Sequence, residues 1–306
     1  MSAFVKIGRS LADRLLLYEG RMSPAGTWEI SVRNIGLDLA QEAAVEPKPS
    51  WAAKGAEKIS VVMPCLNEEA GIARCISWAQ EGLQRAGLPG EIIVADNGST
   101  DQSAELAQAA GAHVVRQPLR GYGNAYHKGF AASTGTYIVM GDADQTYDFR
   151  EIDRLIAPLR NGYDYVLGSR FSGKILPGAM PWTHRYIGNP VLTFMLNMLF
   201  GLKSSDAHSG LRAFTREAYL RMGLVSPGME FASELVIKAA ESKLRVAEVP
   251  ITYYPRAGAS KLNALRDGWR HVRFMLAYRF GHKRPPPETA ALSLRFEPDD
   301  DMAVQK

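Results

Sequence analysis

From Ile59 onward the apolar positions fall in short runs. Ile59-Ser60-Val61-Val62-Met63 ends at Pro64, and Glu91-Ile92-Ile93-Val94-Ala95 ends at Asp96. Ala112 to Val115 and Tyr137 to Met140 repeat the theme. Their length and their β-branched content read as strands. The longer stretches between them, Glu69 to Ala86, Asp101 to Ala110 and Asn124 to Ser133, read as helices. Strands alternating with helices predict βαβ units, hence an α/β, Rossmann-like, mostly parallel sheet with helices on both faces. In such sheets ligands gather beyond the carboxyl ends of the strands. Three polar clusters fall there: Pro64 to Glu69, Asp96 to Ser99, and Asp142 to Asp144.

The alternation fades after about Arg170. A Pro/Gly-rich loop, Lys174 to Pro181, leads into an apolar segment from Ile187 to Leu202. Asn189, Pro190 and Asn197 interrupt that segment, so it predicts an interfacial or core helix rather than a membrane span. Glu230 to Ser242 reads as a helix and Ala247 to Tyr254 as a strand. A basic cluster, Arg256 to Lys261, follows. Asn263 to Tyr278 reads as a helix with Leu265, Trp269, Val272 and Leu276 on its apolar side and a basic opposite face. Three domains result: an N-terminal extension over 1–57 without assignable role, a catalytic unit over 58–280, and a polar tail over 281–306 expected to be disordered. The extension offers a short helix over Leu11 to Glu19, and no signal peptide is evident.

Composition narrows the classes. With 306 residues, 46% hydrophobic and 22% charged, the chain reads as a soluble globular protein with a sizeable core. A net charge of +4 and an isoelectric point near 9.0 fit an anionic ligand or membrane surface without singling out nucleic acid. Cys65 and Cys75 are the only cysteines and have no histidine at metal-ligand spacing. They read as reduced packing residues in a cytoplasmic protein.

The strand-end clusters carry the candidate chemistry. Asp142-Ala143-Asp144, opened by Gly141, is a compact pair of hard oxygen donors suited to Mg²⁺ or Mn²⁺ carrying a diphosphate. The same pattern also occurs in surface turns and helix caps. Asn67 and Glu68 can grip a base or ribose, or cap the next helix. Asp96 can accept from a nucleoside N–H or hydroxyl, Gly98 permits the tight turn, and Ser99 or Asp101 can serve as caps. Gly121-Tyr122-Gly123 does not complete a dinucleotide fingerprint and reads first as a turn. Lys128 reads as a solvated helix residue. His208 reads as polar surface.

Taken together, Pro64-Cys65-Leu66-Asn67-Glu68, Asp96 to Asp101 and Asp142-Ala143-Asp144 resemble the family 2 glycosyltransferases of GT-A fold in order and spacing. Gly121 to Ala125, Gly168 to Phe171, Asp206 to Arg212, Glu248 to Ile251 and Arg256 to Leu262 resemble the dolichyl-phosphate mannose and glucose synthase branch. The resemblance runs from about Ile59 to Tyr278.

It implies a hexosyltransferase moving a sugar from UDP-glucose or GDP-mannose to a polyprenyl phosphate. Donor contacts would fall on Pro64, Asn67, Glu68, Asp96, Gly98, Ser99, Gly123, Lys128 and Ala143. Asp142, Asp144, Asp206 and Arg212 would serve catalysis, with Asp142, Asp144 and Thr146 on a Mg²⁺ or Mn²⁺ ion. Arg170, Ser209, Arg256, Ser260 and Lys261 would hold the acceptor phosphate, arginine as a bidentate fork and lysine as a point charge. The phosphate nucleophile is already anionic, so no strong base is demanded, and in-line attack would invert the anomeric centre. An alcohol acceptor would instead need a base, with Asp206 or Glu234 as candidates.

Two departures stand out. The branch carries glutamine two residues after the second aspartate, where this chain has Thr146, with Gln145 one place earlier. Transmembrane helices that follow the basic cluster in many relatives are also missing. The implied protein is therefore peripheral at the cytoplasmic membrane face. Its partners are a nucleotide sugar, a polyprenyl phosphate, the membrane surface and, by extension, a membrane partner protein. A soluble-acceptor transferase and a weakly catalytic nucleotide-sugar-binding protein remain as alternatives.

Overall fold

The computed structural model describes the backbone of 4–9, 15–22 and 28–34, all of 57–258, and the helix at 264–281, with side chains there from 268. Two compact units result, Met1–Lys54 and Gly55–Lys306. In the first, β1 (Phe4–Arg9), β2 (Leu15–Met22) and β3 (Trp28–Asn34) form an antiparallel sheet in that order. Of the stretch expected to be a short helix at Leu11 to Glu19, the described residues Leu15 to Glu19 are strand. Leu17 pairs with Ile7 on one side and Arg33 on the other, so non-local pairing overrides the helical reading.

The second unit is built on a seven-stranded sheet. Its strands are β4 (Ile59–Cys65), β5 (Gly90–Asp96), β6 (His113–Arg116), β7 (Tyr137–Met140), β8 (Tyr165–Ile175), β9 (Arg212–Thr215) and β10 (Val246–Tyr253). The spatial order is β10-β8-β9-β7-β4-β5-β6. All neighbouring pairs are parallel except those of β9, which runs antiparallel to both β7 and β8. The mostly parallel α/β sheet expected from the apolar runs is present. The strands the pattern leaves unnamed are β8 and β9.

Alternate residues of the central strands face two separate cores, as a sheet covered on both sides requires. Val61, Val94 and Val139 pack with α1 (Ile72–Ala86) and α4 (Ile152–Arg160). In α1 the buried stripe Ile72, Cys75, Ile76 and Ala79 has helical spacing, and Gly87 ends the helix in the left-handed conformation at φ 64°. The other sheet face, with Val62, Ile93 and Ile138, packs on α3 (Tyr122–Ala132), α6 (Arg216–Met222) and α7 (Phe231–Glu241). Between β5 and β6 lies α2 (Ser103–Ala109). Cys65 and Cys75 are buried free thiols, pushed by burial up to about 11 and about 12.

A third cluster joins α7 to α5 (Asn189–Phe200) and α8 (Ala264–Phe280) through Leu196, Ile237 and Met275. Among the described side chains of α8, His271 and Met275 are buried, whereas Trp269 and Leu276 are 66% and 40% exposed. The apolar side expected for this helix is thus partly turned outward. Among the described residues no helix is long and apolar enough to cross a membrane. The expected tail from 282 lies outside the described residues.

One polar knot ties β4, β5 and β7 together at their amino ends. Glu91 accepts from Lys58 Nζ at 2.8 Å, Ser60 Oγ at 2.5 Å and the Thr134 amide at 2.7 Å. Burial opposes its charge, but these donors outweigh it and pull the carboxyl down from 4.5 to about 2. A depressed folded-state value means stability that is present above the unfolded value and lost as pH falls. Glu91→Gln should therefore cost about 1–2 kcal/mol at neutral pH. Denaturant titrations should show that gap closing between about pH 4.5 and pH 2.

Candidate active site

The carboxyl ends of β4, β5, β7 and β8 open onto one cleft of about 750 Å³. Its floor is the loop after β7. Asp142 there accepts from Tyr122 Oη at 2.9 Å, and burial together with the neighbouring Asp144 carboxylate pushes it up to about 7. Asp144 is 5% exposed. Its Oδ1 accepts from the Thr146 amide at 3.0 Å and the Thr146 hydroxyl at 2.5 Å, and its Oδ2 meets Arg256 Nη1 at 2.7 Å. The Arg256 guanidinium reaches on to Glu68 Oε1 at 2.5 Å. Pro64, Ala143 and Arg170 also line this cleft.

Asp142 and Asp144 fit a hard divalent cation. They supply oxygen donors beside an open cavity, one is pushed up by burial and by its neighbour's charge, and the other already carries a cationic partner. Among the described residues no three His, Cys, Asp or Glu side chains form a ready-made cage. Two carboxylates suffice for Mg²⁺ or Mn²⁺ when phosphate and water complete the shell. Thr146 hydrogen-bonds to Asp144 in this arrangement, so its first task is to orient that carboxylate.

Asp96, Gly98 and Ser99 line a second hollow of about 280 Å³ with Arg116 and Gln117. Asp96 Oδ1 accepts from the Ser99 amide at 3.0 Å, and Gly98 takes φ 85° to make the turn. Asn67, itself at φ 53°, binds the Thr100 amide through Oδ1 at 2.8 Å. Asp101 accepts from the Ser103 amide and hydroxyl, which is its capping reading. Asn67 and this turn thus hold the β4 and β5 ends together, between the two hollows.

Several expected residues do other work. Gly123 is buried on α3, and a Cβ there would sit 2.0 Å from the Ser226 carbonyl, so the glycine serves helix packing. Lys128 is exposed on the same helix and lines neither hollow. Ser209 is buried off the cleft and its hydroxyl has no partner among the described residues. Ser260 and Lys261 lie outside the described residues.

Arg212 differs most from expectation. It is fully buried on β9 and donates to the carbonyls of Ser209, Ala207 and Ala232 at 2.7–3.1 Å, and to Tyr165 Oη at 3.0 Å. It organises the 206–210 loop from beneath instead of facing a ligand. Arg212→Leu should leave those carbonyls unsatisfied and destabilise the protein by about 3 kcal/mol or more, read as a drop in Tm.

That loop carries Asp206, which is fully buried and gripped by Arg170 through Nε and Nη2, each at 2.7 Å. Arg170 also stacks over Tyr253, 5.2 Å from the ring centre. At the loop's end, a Cβ on Gly210 would lie 2.9 Å from Asp142 Oδ2, so only glycine lets the loop close on Asp142. Glu234 is buried on α7, accepting from the Val225 and Ser226 amides at 3.0 and 2.8 Å; burial raises its carboxyl.

Sequence reasoning missed Tyr122, Tyr147 and His271, and it read His208 as polar surface, whereas the structure places it on the cleft. Tyr147 Oη accepts from the Gly210 amide at 2.6 Å, which fastens the 206–210 loop. His208 reaches the cleft and shares Ser233 Oγ with His271, at 3.0 and 2.8 Å. Burial, His271, Arg212 and Arg170 hold His208 well below its usual value. Nothing in the spacing signals the pairing, because its members come from three distant segments.

The family model for glycosyl transferase family 2 matches residues 60–223. The chain belongs to glycosyltransferase family 2. The low-salt glycan biosynthesis hexosyltransferase Agl6 of Haloferax volcanii is 50% identical over 228 residues, 74% of this chain and 55% of that protein. This chain therefore matches little more than half of that relative's length. The dolichyl-phosphate hexose transferase of the same organism is 31% identical over 214 residues, 69% of this chain and 90% of that protein. Glucosyl-3-phosphoglycerate synthase from Mycobacterium tuberculosis, solved with Mn²⁺, UDP and glucosyl-3-phosphoglycerate, is 29% identical with a TM-score of 0.60. The match covers 76% of this chain and 84% of that one. The fold is GT-A.

Proposed function

We propose that this chain transfers a hexose from a nucleoside-diphosphate sugar to a polyprenyl phosphate at a membrane surface, inverting the anomeric centre. One observation carries the choice of acceptor. Both carboxylates named as candidate bases are committed, Asp206 to Arg170 and Glu234 to two backbone amides. His208 is held neutral by burial and nearby cations. An alcohol acceptor would need its proton removed, whereas a phosphate oxygen attacks as an anion. This supports a phosphate nucleophile.

The remaining roles follow. The hollow at Asp96 and Ser99 takes the nucleoside, and the diphosphate lies toward Asp142 and Asp144. A Mg²⁺ or Mn²⁺ ion bound there would neutralise charge on the leaving diphosphate. Arg256 meets the acceptor phosphate, and Arg170 positions Asp206 and the loop around the transfer point. The match to glucosyl-3-phosphoglycerate synthase, also solved with phosphoglyceric acid, favours a second reading with a soluble anionic acceptor.

Access to a lipid would come from α5. Thr193 and Leu196 face the core, but Val191, Phe194 and Met198 are 50%, 64% and 63% exposed on the opposite side. Ile187 continues this stripe at helical spacing, and Trp182 and Tyr186 extend the apolar surface ahead of it. No charged residue lies in α5. The neighbouring α8 presents Arg270, Arg273 and Arg279 at its exposed positions. An uncovered apolar stripe beside cations fits shallow insertion among anionic headgroups.

The test is a donor screen. UDP-glucose and GDP-mannose would each be incubated with polyprenyl phosphate, with and without Mn²⁺, and organic-soluble sugar followed. Metal-dependent lipid product from one donor is expected. Transfer only to a water-soluble acceptor such as phosphoglyceric acid would move the assignment to the second reading.

A further inference from the structure

The Arg256 fork joins two carboxylates from separate strand ends, and the arginine itself comes from the far end of the sheet's sequence. Glu68 follows the first strand of the sheet, Asp144 follows β7, and Arg256 follows β10. The bridge crosses the cleft where the diphosphate end of a donor would enter. Asp144 belongs to the pair that fits a divalent cation. Its outward oxygen, Oδ2, is the one that Arg256 holds, while Thr146 occupies Oδ1.

We propose that Arg256 is a placeholder for the divalent cation: in the empty enzyme its guanidinium neutralises Asp144 and Glu68, and the incoming metal displaces it from Asp144. The proposal rests on the metal reading above. Without such a counter-charge, Asp142, Asp144 and Glu68 would gather three carboxylates around one cleft and repel one another. A guanidinium fork spans two carboxylates in a way that a single ammonium does not.

Two features make the hold releasable. Arg256 Nε is buried with no partner among the described residues, so the side chain is not fully satisfied where it sits. Gly258, two residues on, takes φ 83° with open space around it, which lets the chain turn sharply beside the fork. Displacement also frees the residue assigned here to the acceptor phosphate. One arginine would thus serve the cation site before donor binding and the acceptor after it.

The test is Mn²⁺ binding to the full chain by calorimetry, without nucleotide and then with UDP, for wild type, Arg256→Gln and Arg256→Lys. Arg150→Gln controls for lost charge, because Arg150 pairs with Asp148 and does not line the cleft. Circular dichroism checks that each variant is folded. Arg256→Gln should bind Mn²⁺ roughly tenfold more tightly than wild type in the absence of nucleotide, because the competing cation is gone. Arg256→Lys should lie between them, and Arg150→Gln should match wild type. Equal or weaker binding by folded Arg256→Gln would overturn the placeholder. So would a lysine variant indistinguishable from wild type, since through-space charge would then explain the effect. No Mn²⁺ binding by wild type even with UDP would instead overturn the metal reading, and this proposal with it.

Discussion

Asp144→Asn should lower hexosyl transfer by about a thousandfold or more, the scale expected when charge stabilisation of a leaving group is lost. The substitution keeps the shape of a side chain that is 5% exposed, so no cavity opens. Thr146 still finds an oxygen acceptor, and Arg256 still has Glu68. The folded state should therefore survive with a modest loss of Tm, while the cation loses one of its two carboxylates. Circular dichroism and a rate measurement at limiting Mn²⁺ separate the two effects. Wild-type turnover under those conditions would remove Asp144 from the cation site.

Phe194→Glu combined with Met198→Glu should abolish binding to anionic vesicles and cut lipid-linked product at least about tenfold. Both positions lie on the exposed stripe of α5, away from the seam at Leu196 that packs on α7 and α8. Charges there oppose insertion without disturbing the core. Donor binding, measured as UDP affinity, should not change. High salt should also release wild type from the vesicles, because part of the attraction comes from arginines on α8. Normal flotation by the double variant would mean that α5 does not face the lipid.

The sequence and the structure agree where a local pattern has a single explanation. β4, β5 and β7 are short apolar runs between helical stretches, and no other element suits them. The polar clusters at their ends became the two hollows for the same reason: a parallel sheet places successive strand ends on one rim. β9 was not legible. It is four residues long, it runs against its neighbours, and it starts with an arginine. A buried arginine looks like a ligand in sequence because its partners are backbone carbonyls that leave no residue signature. Arg212 was read as catalytic from its place in a motif that resembles the family's, and the structure gives it a scaffolding task.

Asp206 teaches a related lesson. Its motif position marked it as an acid near the sugar, and the structure does bring its loop against Asp142 through Gly210. Its carboxylate nevertheless faces Arg170, which the sequence had assigned to the acceptor. Two charges read as separate ligands turned out to be each other's partner. For α8, the sequence put Leu265, Trp269, Val272 and Leu276 on the apolar side. Packing against α5 and α7 buried His271 and Met275, leaving Trp269 outside. Such choices are made by neighbouring elements and lie beyond periodicity within one helix.

The most direct test compares two acceptors that differ in one group. Polyprenyl phosphate and the polyprenol of the same chain length would be presented in identical anionic vesicles, with Mn²⁺ and the donor that supports turnover. Organic-soluble sugar would be measured for each. With Asp206 and Glu234 both occupied, the phosphate should be glycosylated and the alcohol should give no product above background. Comparable transfer to the alcohol would show that the site activates a hydroxyl after all, contradicting the phosphate-acceptor assignment.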